Sequence, residues 1–237
     1  MTSSRIDVLR RYFVRLWRDV DVWDDSAEGA KIFDEVDNAE GAKIFNEVLL
    51  PRYTEPQRHY HDLRHIEACL VSLCNVRHDG SLRKEQEIRL NTVELALWFH
   101  DAIYTPGAHD NEQRSADLAF EVISKTGIDS KIGVEVRDLI MATTHHNAPM
   151  SGYAALICDI DMVILGRKPS DYRQYAEAIR REFSMVPVEQ YCVGRTKVLQ
   201  GLLARHLIYG TRYFQDLCEV QARRNLSNEI CQLKETT

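Results

Sequence analysis

Histidine and aspartate stand side by side at 100–101 in VELALWFHDAIY (93–104), a stretch whose other residues suit a buried helix. An unpaired charge is costly in such surroundings, so the two groups must be paired, ligated or neutralised. Residues of the same kind interrupt other apolar stretches. RHYHDLRHIEACL (58–70) sets His61 and His65 four residues apart, one above the other on a helix whose adjacent face carries Ile66, Leu70 and Leu73. ICDIDMVIL (157–165) carries Asp159 and Asp161, and ATTHHNAP (142–149) carries His145 and His146. Imidazole with carboxylate suits Mn, Fe, Zn or Mg rather than an ion selected by thiolate. Two imidazoles and two carboxylates leave positions on an octahedral ion for water and substrate, and water acidified by the ion is a nucleophile near neutral pH.

The dipeptide alone carries little. His-Asp occurs four times, and context separates the copies. His78-Asp79 precedes Gly80-Ser81 and reads as a solvated turn. Asp110-Asn111 precedes a helical run and suits N-capping. Asp62 fits the first turn of its helix, where a carboxylate complements the macrodipole. Only His100-Asp101 lies deep in an apolar segment. Neighbours on a helix point about 100° apart and form no common face, but they can flank a single ion. Each residue also has a structural reading: His65 as a hydrogen-bonded core histidine, Asp159 or Asp161 as a cap or the partner of an arginine. Ion pairing on that scale would need buried Arg or Lys, and these apolar segments contain few, which favours a metal.

Helices must position these groups. Ile6, Leu9, Phe13, Leu16, Trp17 and Val20 recur at helical spacing over 5–20, as do Leu63, Ile66, Leu70, Leu73 and Val76 over 61–77. Further helices are expected at about 84–104, 112–126, 131–143, 152–165, 170–184, 188–208 and 211–232, with glycines and prolines between them. The expected fold is an all-α, single-domain helical bundle: N-terminal helices over 1–50 packed on the same domain, a metal-binding helical core over 51–215, and a C-terminal helix over 216–237. DSAEGAKIFDEV (25–36) is repeated at once as DNAEGAKIFNEV (37–48). Twelve steps at about 100° leave roughly 120° of net rotation, so both copies cannot face the core on one straight helix. One copy is expected to be exposed or looped out.

The chain has 237 residues and a formal charge of −6, with no basic stripe of the kind duplex nucleic acid needs. No apolar run approaches the ~20 residues of a membrane span, and the start lacks the apolar core of a signal peptide. The six cysteines contain no C-x-x-C and sit mostly in apolar-periodic segments, so they are expected to be reduced and the protein cytoplasmic.

The order H … HD … D resembles the HD superfamily of metal-dependent phosphohydrolases. RHYHDLRHI, ALWFHDAIY, DNEQRSADLA, ATTHHNAP and DIDMVILG look like one subgroup described as predicted metal-dependent HD phosphohydrolases, over about 53–213. One departure is Gln57, where that subgroup commonly has histidine. The resemblance implies an HD-domain-type bundle with one divalent ion (Mn, Fe, Zn or Mg) on His65, His100, Asp101 and Asp161, a second metal being left open. His61 is the alternative first histidine, otherwise placed near the substrate phosphate with Arg58, and Asp159 is a partner or rival of Asp161 on the substrate side. Glu112 would orient or deprotonate the attacking water, or else is only a first-turn glutamate. His145 and His146 would bind phosphate, donate a proton or hold the second metal. Arg180, Arg181 and Arg195 are weaker phosphate candidates, because charges on late helices usually form a solvated face. The implied partner is a small phosphorylated molecule, nucleotides included, cleaved by water; a homo-oligomer is left open. Two other classes stay open: a non-catalytic ligand-sensing module, and a di-iron oxygenase on the HD scaffold.

Overall fold

The computed structural model describes residues 1–21, 38–79, 84–144 and 151–235. The described chain is helical, with no strand among the described residues. It forms two compact units, Met1–Pro56 with His61–Thr144, and Gln57–Tyr60 with His145–Thr237. Among the described residues no helix is long and apolar enough to cross a membrane. The six cysteines are free thiols.

The first unit holds α1 (Ser3–Asp21), α2 (Asn38–Ile44), α3 (Leu50–Tyr53), α4 (Leu63–His78), α5 (Lys84–Phe99), α6 (Asn111–Ser124) and α7 (Ser130–Ala142). α1 buries Leu9, Phe13, Leu16, Trp17 and Val20, the stripe its spacing dictates. Phe13 meets Trp98 edge-on with ring centroids 5.2 Å apart, and Phe45 packs at 6.1 Å from Phe13. α5 is the centre of this unit. Val93 and every residue from Leu95 to Phe99 are fully buried, so the C-terminal part of the helix is buried all round rather than on one stripe. The Tyr53 hydroxyl donates to the Trp98 carbonyl at 2.9 Å, satisfying a backbone acceptor at the end of α5 just before His100.

The second copy of the repeat forms α2 and then widens into a π-helical turn at Phe45–Leu49, where the Leu50 N–H donates to the Phe45 carbonyl. Pro51 follows at once. It has no N–H to offer the previous turn, and its ring would crowd the carbonyl four residues back, so the wider turn relieves the clash. The first copy lies outside the described residues.

Glu94 interrupts the apolar surface of α5 and is 2 % exposed. Arg77 pairs with it at 2.8 Å, but the guanidinium is a quarter exposed and only partly offsets burial, which pushes the Glu94 carboxyl from 4.5 up to about 7. A carboxyl raised on folding contributes stability that is full below pH 4.5 and lost as pH rises through 7. Glu94→Gln is therefore expected to flatten the fall in stability between those pH values, a difference on the order of 3 kcal/mol. Denaturant unfolding of both proteins across pH 4.5–8 measures it; parallel curves would refute it.

The second unit holds α8 (Gly152–Asp161), a 3₁₀ turn (Met162–Gly166), α9 (Pro169–Glu182), α10 (Val188–Leu203) and α11 (Arg212–Glu235). α11 passes so close to the 3₁₀ turn that a Cβ on Gly166 would lie 2.4 Å from the Cys218 Cβ. Gly166→Ala is expected to destabilise by about 1–3 kcal/mol through overpacking. Thermal unfolding reads the loss, and an unchanged midpoint would show that α11 can move aside. The Asn225 amide donates to the Leu165 and Arg167 carbonyls at 2.8 Å each, closing the same junction.

Two helices end earlier than periodicity alone suggests. α5 stops at Phe99 rather than near 104, and α10 at Leu203 rather than near 208. In both places distant side chains capture the backbone, which no local breaker announces. Asn111 and Ser115 take residues 105 and 103. Glu219 accepts from the N–H groups of Ile208 and Tyr209, and Arg223 donates to the carbonyls of Leu203, Arg205 and His206.

Candidate metal centre

α4 opens on Asp62, whose carboxylate accepts the Arg64 N–H at 2.7 Å; it is the cap itself, one position before the first turn. His65 follows on the buried side of the first turn, with Leu63 and Ile66 beside it. His100 continues the helical path of α5, its N–H donating to the Ala96 carbonyl at 2.9 Å. Both imidazoles are almost wholly buried, at 4 % and 2 % exposure, while the Asp101 side chain keeps 15 % exposure.

Three ligand atoms of the first unit converge. His65 Nε2 lies 3.1 Å from His100 Nε2, and Asp101 Oδ2 lies 3.4 Å from the former and 3.2 Å from the latter. Bonds of about 2.1 Å to a common ion would put neighbouring ligand atoms about 3.0 Å apart in an octahedron and about 3.4 Å apart in a tetrahedron. The observed triangle falls in that range.

The tautomer of His100 agrees. Its Nδ1 is 2.9 Å from the Leu97 carbonyl, which accepts only, so Nδ1 carries the proton and Nε2 presents a lone pair to the triangle. A backbone carbonyl behind the far ring nitrogen is the usual arrangement of a metal-ligating histidine. Burial pushes the Asp101 carboxyl up, but positive charge on the neighbouring imidazoles outweighs it and holds the group well below the usual carboxylate range; a divalent ion in the triangle would supply that charge instead, with His100 Nε2 left as a lone pair. Asp101 is thus kept as an anion, the form that ligates. The residues present fit a divalent cation.

The other candidates are placed as follows. His61 is half-buried beside the triangle, its ring 5.9 Å from that of His65 and 4.2 Å from that of Tyr104. Glu112 lies in the first turn of α6, half-exposed. Asp110 precedes that helix without a side-chain cap bond, so the expected capping is not made. His145 and His146 lie outside the described residues.

In the second unit Asp161 ends α8 and is half-buried; burial, with the charge of Asp161, pushes the Cys158 thiol up to about 12, which disfavours its thiolate. Asp159, two residues earlier, is 1 % exposed and already occupied. One oxygen accepts the Gly210 N–H at 2.7 Å, and the other accepts the Thr211 N–H at 2.7 Å and its hydroxyl at 2.6 Å. It ties down the chain entering α11. Arg58 is buried on the Gln57–Tyr60 segment, which Glu182 holds by accepting the N–H groups of His59 and Tyr60 at 2.8 and 2.7 Å. Arg195 departs from the solvated face expected of it: its side chain is 10 % exposed and binds Glu229 at 2.8 Å, and Tyr172 donates to the same carboxylate. Arg180 donates to the Phe183 and Val186 carbonyls, and Arg181 is exposed. Asn111 and Ser115 have structural roles here that capping and helical patterns do not reveal.

No family model matches the chain, and neither a curated protein nor a solved structure matches it.

Proposed function

We propose that the protein is a metal-dependent phosphohydrolase that cleaves a phosphoester of a small molecule, nucleotides included. One divalent ion would be held by His65, His100 and Asp101, and the HD resemblance assigns Asp161 as its fourth ligand. The observation that carries this reading is the triangle of two imidazole nitrogens and one carboxylate oxygen, with the far nitrogen of His100 anchored on a backbone carbonyl. The choice of reaction rests on the resemblance of the H … HD … D order to the HD superfamily. A bound ion would polarise the phosphoryl oxygen and acidify the attacking water.

The chain's own residues do the rest. Burial of His65 and His100 excludes competing solvent from their side, and Asp101 is the least buried corner of the triangle. His61, beside the triangle, and Arg58, which matches phosphate oxygens bidentately, are assigned to the substrate phosphate. Glu112 is assigned to the attacking water. Chain loaded with Mn²⁺ is expected to release inorganic phosphate from members of a nucleotide and phosphomonoester panel, and to lose that release with chelator. Tight metal binding without turnover of any member would instead identify a ligand-sensing module.

A second reading follows from the same triangle. Two histidines and one carboxylate on one face of an ion are also the ligand set of iron oxygenases. Oxygen consumption by the Fe²⁺-loaded chain, with no phosphate release, would favour it.

A further inference from the structure

α6 sends two polar side chains into the loop that follows the His-Asp pair, and each closes on a single backbone residue. Asn111 is 8 % exposed; its Oδ1 accepts the Thr105 N–H and its Nδ2 donates to the Thr105 carbonyl, both at 2.9 Å. Ser115 is fully buried; its hydroxyl accepts the Ile103 N–H at 3.0 Å and donates to the Ile103 carbonyl at 3.2 Å. The backbone groups of both residues are thereby committed to α6, in place of the helical bonds that would have continued α5.

The clamped residues flank Tyr104. Its ring lies 4.2 Å from His61 with the planes 31° apart, and His61 in turn packs beside His65. On the other side of Ile103, the Ala102 N–H donates to the Phe99 carbonyl at 2.9 Å, which leaves Asp101 inside a turn closed at both ends. An asparagine at a helix start ordinarily serves its own helix. Here its amide serves the loop.

We propose that Asn111 and Ser115 are positioning residues of the metal centre: through Thr105 and Ile103 they hold 101–105 so that the Asp101 carboxylate completes the triangle and the Tyr104 ring fixes His61 next to it. This rests on the metal reading of His65, His100 and Asp101. Neither side chain is a ligand, so the effect is on geometry. Loss of an outer partner of a metal site typically weakens metal binding about 10–100-fold.

The experiment titrates the metal-free full chain with Mn²⁺, following free ion by electron paramagnetic resonance, for the native protein, Asn111→Ala and Ser115→Ala. Each variant is expected to bind about 10–100-fold more weakly than the native chain. Ile123→Val, which thins the buried face of the same helix, is expected to lose stability while keeping native affinity. Amide exchange at Ile103 and Thr105 is expected to speed up in the two clamp variants alone. Should Asn111→Ala fail to fold, Asn111→Asp keeps the acceptor for Thr105 and removes the donor, with an intermediate loss expected. Folded clamp variants that bind within about twofold of native overturn the inference and leave the metal centre standing. A native chain that takes up no Mn²⁺ overturns the metal reading itself, and the inference with it.

Discussion

Asp101→Ala, purified without chelator, is expected to carry less than about a tenth of the metal found on the native chain, and to lose the proposed phosphate release with it. The residue supplies the anionic corner of the triangle, with Oδ2 at 3.4 and 3.2 Å from the two imidazole nitrogens. Without it the two histidine nitrogens face each other at 3.1 Å with no negative charge beside them. Two neutral imidazoles still bind soft divalent ions, so a residue of weak Zn²⁺ or Cu²⁺ binding is expected, but Mn²⁺ and Mg²⁺, which depend on oxygen ligands, should be lost. The loss should exceed the ~10–100-fold typical of an outer partner. Asp101→Asn separates charge from shape, since it keeps an oxygen in place and removes the anion. Its affinity is expected between the native chain and Asp101→Ala. Elemental analysis together with Mn²⁺ titration reads both variants. Native metal content in Asp101→Ala would remove the carboxylate from the site.

The second large effect is on folding. Asp159→Ala is expected to destabilise the second unit by about 3–5 kcal/mol, since three donors are left unpaired at ~1–3 kcal/mol each, less the desolvation the carboxylate no longer suffers. Its carboxylate accepts three hydrogen bonds, from the Gly210 and Thr211 N–H groups and the Thr211 hydroxyl, all at 2.7 Å or less. Alanine leaves those donors without an acceptor where the chain enters α11, and unsatisfied buried donors carry their full desolvation cost. Thermal unfolding should shift down by roughly 10 °C. By contrast Asp161→Ala, the change of a half-buried residue at a helix end, is expected to spare stability and weaken metal binding. The two acids, two residues apart, are thus expected to separate: one variant moves the melting temperature, the other the metal titration. The reverse pattern would exchange their roles.

Why that assignment was only half legible in the sequence is a matter of distance along the chain. Periodicity placed the long helices well, because burial of a stripe is a local pattern: Phe13 and Trp17 of α1 and Ile66 and Leu73 of α4 fall where their spacing puts them. The unusual run before His100 was also legible, since an apolar segment that suddenly carries two ionisable groups calls for a partner. Spacing reads His61 and His65 as one helical face and leaves both open, whereas α4 begins only at Leu63 and His61 precedes its cap, Asp62. The structure puts His65 in the triangle and His61 against Tyr104, a residue of a loop whose path depends on α6. Asp159 and Asp161 looked alike in an apolar stretch, because the loop that occupies Asp159 lies some fifty residues onward. The same holds for the end of α5. Nothing between Phe99 and Thr105 breaks a helix, and the bonds from Asn111 and Ser115 that redirect the chain are visible only once α6 has folded back. The short helices before Tyr53 were obscured by the repeat and by Pro51.

The most direct test of the centre is the number of imidazole nitrogens on a bound ion. Electron spin echo modulation of the chain loaded with one equivalent of Cu²⁺ is expected to show coupling to two imidazoles, falling to one in His65→Gln and to one in His100→Gln. Absence of imidazole coupling in the native chain, or a two-imidazole pattern that survives both substitutions, would contradict the account.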